Sequence, residues 1–197
     1  MEGTPAAIVS PLRSFLFVIS LALCGCSTLV GSVKPVDQKS NDYGVLDLAK
    51  ASPDVWRRLD DSQLIPTDAQ ISSNTEAFSS EITDMAFQSK KTVEIISMNT
   101  SCREGREPIS DLRPFLNELL LGISDVTERT EKPTQLSGTP ALEGTVAGNM
   151  AGQATKIRAI VLSKAGCVYA LMYISRPNRY SAHEADFTRF ISSLRLR

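Results

Sequence analysis

Two apolar runs near the C-terminus constrain this chain most. Lys156–Ser163 and Cys167–Ser175 are apolar at nearly every position, and only Lys164-Ala165-Gly166 separates them. A strand with one wet face alternates apolar and polar residues, whereas a continuous run signals a strand covered on both faces. The pair predicts a central antiparallel hairpin, with Gly166 supplying the positive φ of a three-residue turn. Pro177 ends the second strand.

Amphipathic segments are available to cover it. Leu112, Phe115, Leu116, Leu119, Leu120 and Ile123 recur at helical spacing, which predicts a helix over 111–123 that buries this stripe against a sheet. Ser110 or Asp111 would cap it, and Pro114 sits in the first turn, where a missing N–H costs least. A second helix is predicted at the C-terminus. Ser181-Ala-His-Glu184 has the form of a capping box, and Phe187, Phe190, Ile191 and Leu194 form the apolar stripe. Arg189, Arg195 and Arg197 favour its negative C-terminal end. A short helix over 52–59 is expected, with Ser52 as N-cap, Pro53 at the first position and Trp56 as a packing residue.

Further strands fall between residues 68 and 102. Thr92–Thr100 is rich in β-branched residues and leads into Cys102, and Asp84–Gln88 reads as its hairpin partner. Residues 103–108 end in Pro108 and read as a loop. Thr127–Pro133 is charged and reads as an edge strand or a loop. Gly144, Gly148 and Gly152 have the spacing of a membrane-helix pairing repeat, but Asn149, Gln153 and Thr155 deny the apolar context that such a repeat needs. A β segment or a mobile loop is the better reading. The expected fold class is α+β, an antiparallel β-sheet flanked by helices.

The N-terminus reads as an address. Ser14–Leu23 is uncharged and apolar, about 15 Å of helix at 1.5 Å per residue, against roughly 20 residues needed to span a bilayer. It fits the apolar part of a secretory signal. Leu23-Cys24-Gly25-Cys26 resembles the lipobox of bacterial lipoproteins, with Leu23, Gly25 and Cys26 in the matching places. That resemblance implies cleavage before Cys26, lipid attachment at Cys26, and anchoring on a membrane through the acyl chains. Ser27 after the cysteine implies export to the outer membrane, facing the periplasm. The organisation expected is a signal peptide over 1–25, a flexible tether over 26–44, rich in Ser, Gly, Lys and Asp, and one globular domain over 45–197.

With Cys24 and Cys26 assigned to the signal, Cys102 and Cys167 remain. An even pair in an oxidising compartment predicts a disulfide, with two buried free thiols as the alternative. Nothing else in the sequence has the pattern of a catalytic or cofactor site. Basic and acidic residues number 21 and 22, which argues against a nucleic-acid surface. There is no Gly-x-Ser-x-Gly, Ser-x-x-Lys, P-loop or Gly-x-Gly-x-x-Gly motif. His183, the single histidine, lacks a second at 187, so the zinc-helix pattern fails, and a solvated or edge-packed imidazole is expected. Asp84, Glu94, Asp111 and Glu143 are carboxylates that only the fold could pair. No catalytic residue, cofactor or metal is expected.

Asp84-Met-Ala-Phe87, Asn99-Thr-Ser-Cys102, Gly166-Cys167-Val-Tyr169 and Phe187-x-x-Phe190-x-x-Ser193-Leu-Arg195 resemble a group of proteobacterial lipoproteins of uncharacterised activity. Their layout is similar to the PsbP-like α/β/α sandwich, and the resemblance covers about residues 55–197. It implies an extrinsic membrane-complex subunit or a binding adaptor and supplies no catalytic residues. The expectation is a non-enzymatic, lipid-anchored accessory or adaptor protein with an envelope protein partner. A small-ligand or lipid carrier is the alternative, which a pocket of several hundred Å³ lined by residues of the 111–123 stripe would favour and a fully packed stripe would count against. A hydrolase comes third and would need a cleft holding the histidine or perturbed carboxylates.

Overall fold

A computed structural model describes residues 43–59, 83–102 and 109–197. The signal peptide expected over 1–25, Cys26 and most of the expected tether lie outside these residues, as does the loop expected over 103–108.

The elements run β1 (Tyr43–Gly44), α1 (Leu48–Ala51), β2 (Trp56–Arg58), β3 (Met85–Ser89), β4 (Ile95–Cys102), α2 (Arg113–Leu119), β5 (Ser124–Leu136), β6 (Thr139–Met150), β7 (Gln153–Lys164), β8 (Cys167–Ser175), a 3₁₀ turn (Pro177–Arg179), α3 (Tyr180–Ser192) and β9 (Arg195–Leu196). Seven strands form one antiparallel sheet in the order β2-β3-β4-β8-β7-β6-β5, and β1 pairs with β9 beside it. The fold is α+β, as the apolar runs anticipate.

Strands β5 to β8 form a meander joined by three two-residue turns of one kind. Ser137-Gly138, Ala151-Gly152 and Ala165-Gly166 all have positive φ at both positions. That is the turn whose twist matches the strands it joins, and glycine at the second position relieves half its steric cost. The β7–β8 connection is thus two residues, because Lys164 still pairs with Cys167.

The central strands are covered on both sides. Ile160 and Leu162 of β7 and Tyr169, Leu171 and Tyr173 of β8 face α3, packing with Phe187, Phe190, Ile191 and Leu194. Ile157, Ala159 and Val161 of β7 and Val168 and Ile174 of β8 face α2, packing with Leu116 and Leu120. The period-2 alternation places each set on its own face. Strand β5 closes the sheet as an exposed edge, carrying Glu128, Arg129, Glu131, Lys132 and Pro133. Charge and proline on an edge discourage pairing with other chains.

Several local expectations are corrected. Tyr43 and Gly44 are not tether: they pair with Leu196 and Arg195, and Tyr43 is buried. No helix spans 52–59. Asp47 caps α1 five residues earlier, accepting from the backbone N–H of Ala49 (3.0 Å) and Lys50 (3.2 Å), and Ser52 is the C-cap. Trp56–Arg58 instead extends against β3, where sheet pairing outweighs local propensity. The capping box at Ser181 does not form. The 3₁₀ turn after Pro177 starts α3 at Tyr180, and Glu184 reaches Arg158 at 3.8 Å instead. The helix over 111–123 is shortened to Arg113–Leu119; Leu112 flanks its first turn, and the expected capping side chain is Asp111, whose Oδ1 accepts from Arg113 N–H at 3.0 Å.

Candidate functional site: a groove beside the short helix

The early end of α2 leaves a groove on the described surface. Seven residues of helix extend about 10 Å, too little to cover the apolar face beneath. Leu120 N–H bonds to the Asn117 carbonyl (3.1 Å) and Leu121 N–H to that of Glu118 (3.2 Å), tightening the last turn. Gly122 at φ +84° then redirects the chain into β5. Leu121 is left 70 % exposed. Beyond the helix, Ile95, Ile157, Met172 and Ile174 form the floor of an open groove of about 420 Å³.

Apolar side chains also make its walls. Leu119, Leu121, Met150, Ala154 and Val93, 40 % exposed, line it with the floor residues. Polar groups are few: Gln88, Gln153, Thr155, Ser175 and Arg176. Arg176 also lines two neighbouring depressions. One, of about 370 Å³, includes Gln153, Pro177 and Asn178; the other, of about 200 Å³, includes Lys91, Thr92, Val93 and Arg179. Among the described residues, no aspartate or glutamate lines any of the three.

The sequence-predicted residues fall elsewhere. Cys102 and Cys167 are disulfide-bonded across directly paired positions of β4 and β8, with Cα atoms 4.0 Å apart. Cys26 lies outside the described residues. His183 is packed rather than solvated: its ring meets Trp56 edge-on, with centroids 4.9 Å apart. His183 Nδ1 lies 3.1 Å from Asp186 Oδ2, and Nε2 lies 3.4 Å from Ser89 Oγ. Serine, histidine and aspartate thus occur in the order of a hydrolase triad. The surroundings are those of a core network instead. Ser89 is 3 % exposed and already accepts from Thr92 Oγ1 at 2.7 Å, while Asp186 Oδ2 also accepts from Trp56 Nε1 at 3.1 Å. Ser89 lines none of the three cavities.

The four carboxylates each have separate surroundings. Asp111 Oδ1 accepts from Arg113 N–H at 3.0 Å. Glu143 pairs with Arg158 (3.1 Å) and Lys132 (3.2 Å). Asp84 lies beside Tyr43, whose phenol is pushed well above its ordinary range by burial and then by that carboxylate. Glu94 is buried, and its carboxylate oxygens have no hydrogen-bond partner among the described residues. Among the described residues no group of three or more His, Cys, Asp or Glu side chains is placed to hold a metal ion, and no helix is long and apolar enough to cross a membrane.

The groove itself is absent from the sequence reading because it arises where α2 stops. Gly122, two residues after the last buried leucine of the stripe, is the signal that could have placed that end.

No protein-family profile matches this chain, and no curated protein matches it by sequence. Solved structures are similar to it at low identity. The cyanobacterial PsbP protein CyanoP from Synechocystis is 13 % identical, with a TM-score of 0.45 over 73 % of this chain and 94 % of that one. LpqN of Mycobacterium tuberculosis, involved in cell envelope biogenesis, is 11 % identical, with a TM-score of 0.47 over 83 % and 87 %. A Pseudomonas aeruginosa protein of unknown function is 14 % identical, with a TM-score of 0.42 over 80 % and 99 %.

Proposed function

We propose that this chain is a lipid-anchored accessory protein of the bacterial cell envelope that works by binding rather than by catalysis, and that the groove beside α2 holds an apolar ligand. The groove carries this reading. Its volume is that of a small-molecule site, and its lining is apolar with a few polar groups at one end, the usual composition of such sites. Anchoring rests on Leu23-Cys24-Gly25-Cys26 and on the polar stretch that follows. Ser27 favours the outer membrane, facing the periplasm. A binding role fits a chain in which the histidine and the buried serine are taken up in packing and hydrogen bonds, and Glu143 in ion pairs. An envelope protein that receives or delivers the ligand is the expected partner.

Two experiments test this. Cys26→Ala in a Gram-negative host should abolish labelling by a clickable palmitate and leave the precursor uncleaved; labelling that persists sinks the anchor. Native mass spectrometry of the full chain, ejected directly from producing membranes, should show a bound species of a few hundred daltons, and replacing Ala154 by Trp to fill the groove should remove it. A bound species that survives this change would place the ligand elsewhere.

A further inference from the structure

The groove opens among cations that have no counter-charge among the described residues. Lys91, Arg176 and Arg179 are exposed, line the depressions at its mouth, and form no ion pair with any described residue. This sets them apart from much of the chain's positive charge. Arg58 pairs with Asp47, Arg113 with Glu131, Lys156 with Glu128, Arg158 with Glu143, and Arg189 with Asp186. Glu118 and Asp125 flank the α2 end in sequence but are not among the lining residues. Arg176 and Val93 line both the apolar groove and the cationic depression, so the two adjoin. An anion placed there meets three positive side chains, and a guanidinium can grip a carboxylate or phosphate with two parallel hydrogen bonds.

We propose that the groove takes a single-chain amphiphile with an anionic headgroup. Its acyl chain lies over Ile95, Ile157, Met172 and Ile174, and its head is held by Arg176 with Lys91 and Arg179. This rests on the reading of the groove as a ligand site and adds the class of ligand. The chain part supplies burial and the head supplies orientation, so a neutral amphiphile of equal length would bind more weakly.

The test uses the full chain in membranes of producing cells, so that no detergent competes for the groove. Palmitate carrying a diazirine is photocrosslinked, and the labelled peptides are mapped. Label is expected on the strands that form the floor, around residues 153–157 and 172–176. Unlabelled palmitate should displace it at concentrations about tenfold lower than hexadecanol does, the ratio that one charge-assisted hydrogen bond to the head supplies. Inorganic phosphate should not displace it. In the variant combining Lys91→Ala, Arg176→Ala and Arg179→Ala, all exposed positions, the preference for palmitate over hexadecanol should vanish while hexadecanol competes as before. Groove labelling with no such preference, or a preference the triple variant keeps, overturns the anionic headgroup and leaves the groove as a ligand site. Displacement by inorganic phosphate overturns the amphiphile in favour of a plain anion site. Label absent from the groove overturns both readings.

Discussion

Leu116 of α2 rests on Gly144 of β6: a Cβ at Gly144 would stand 2.9 Å from Leu116 Cδ2. Four residues along the same strand, a Cβ at Gly148 would meet the Ser124 carbonyl oxygen and stand 2.7 Å from Ile123 Cγ2. The two glycines are what allow α2 and the segment after it to lie directly on the sheet. The neighbours differ in how far they can yield. The tip of a leucine can rotate, whereas the Ser124 carbonyl is backbone held where β5 joins β6. Gly148→Ala should therefore destabilise the fold by about 1–3 kcal/mol. Gly144→Ala should cost less than about 1 kcal/mol, partly offset by the reduced freedom of the unfolded chain. Urea unfolding of the two variants checks the order, and a larger loss at Gly144 would refute it.

The disulfide should be the largest single contribution that can be removed without touching the core. It joins residues 65 apart in sequence, and the chain-entropy relation puts the stabilisation at about 4 kcal/mol. Cys102→Ser with Cys167→Ser should lower the urea midpoint accordingly, and reduction of the parent protein should reproduce the shift. Equal midpoints with and without reductant would show that the bridge adds nothing.

Asp186 ties α3 to β2. One oxygen accepts from Trp56 Nε1 and faces His183 Nδ1, both at 3.1 Å, and the other accepts from Arg189 at 3.1 Å. Asp186→Ala leaves the indole N–H of a tryptophan only 1 % exposed without its acceptor. The expected cost is about 1–3 kcal/mol. Trp56 is the sole tryptophan, so its fluorescence reports the site directly. An unchanged spectrum together with unchanged stability would show that the hydrogen bond contributes nothing.

Alkaline pH should unfold the protein. Burial pushes the Tyr173 phenol up to about 12, and burial, then the Glu184 carboxylate, pushes Tyr180 up to about 12. Both lie above the ordinary value of about 10. The folded state therefore holds these protons more tightly than the unfolded state does. Stability is fully present below about pH 10 and is lost as pH rises from there through about 12. Phenolate absorbance and circular dichroism should change together in this window. Phenolate forming near pH 10 with the fold intact would contradict the burial argument.

Phe187, Phe190 and Ile191 sit buried on α3, because their spacing alone makes an apolar face. The apolar runs of β7 and β8 became central strands for the same reason. Ser52 and Ser181 carried capping patterns that the structure does not use, since an N-cap competes with what its neighbours can pair with. Trp56–Arg58 gained a sheet partner, and Glu184 gained an arginine. The three turn glycines, Gly138, Gly152 and Gly166, fall at equal intervals of 14 residues and announce the meander. The spacing of Gly144, Gly148 and Gly152 obscures that interval by mixing two strand positions with a turn.

The amino-acid sequence by itself determined the α+β class, the doubly covered hairpin, the α3 stripe and the single pair of cysteines within the domain. Each follows from local periodicity or from residue type, which need no knowledge of distant partners. Tertiary structure decided where α2 ends, which strand covers which helix, and how Ser89, His183 and Asp186 are packed. It therefore also decided the groove. The stripe Leu112–Ile123 would suit a helix of full length, but Gly122 and the pairing of Ser124 with Asn149 turn the chain away first. The cavity is the apolar sheet face that the missing helical turn leaves open, and only the positions of both elements together reveal it.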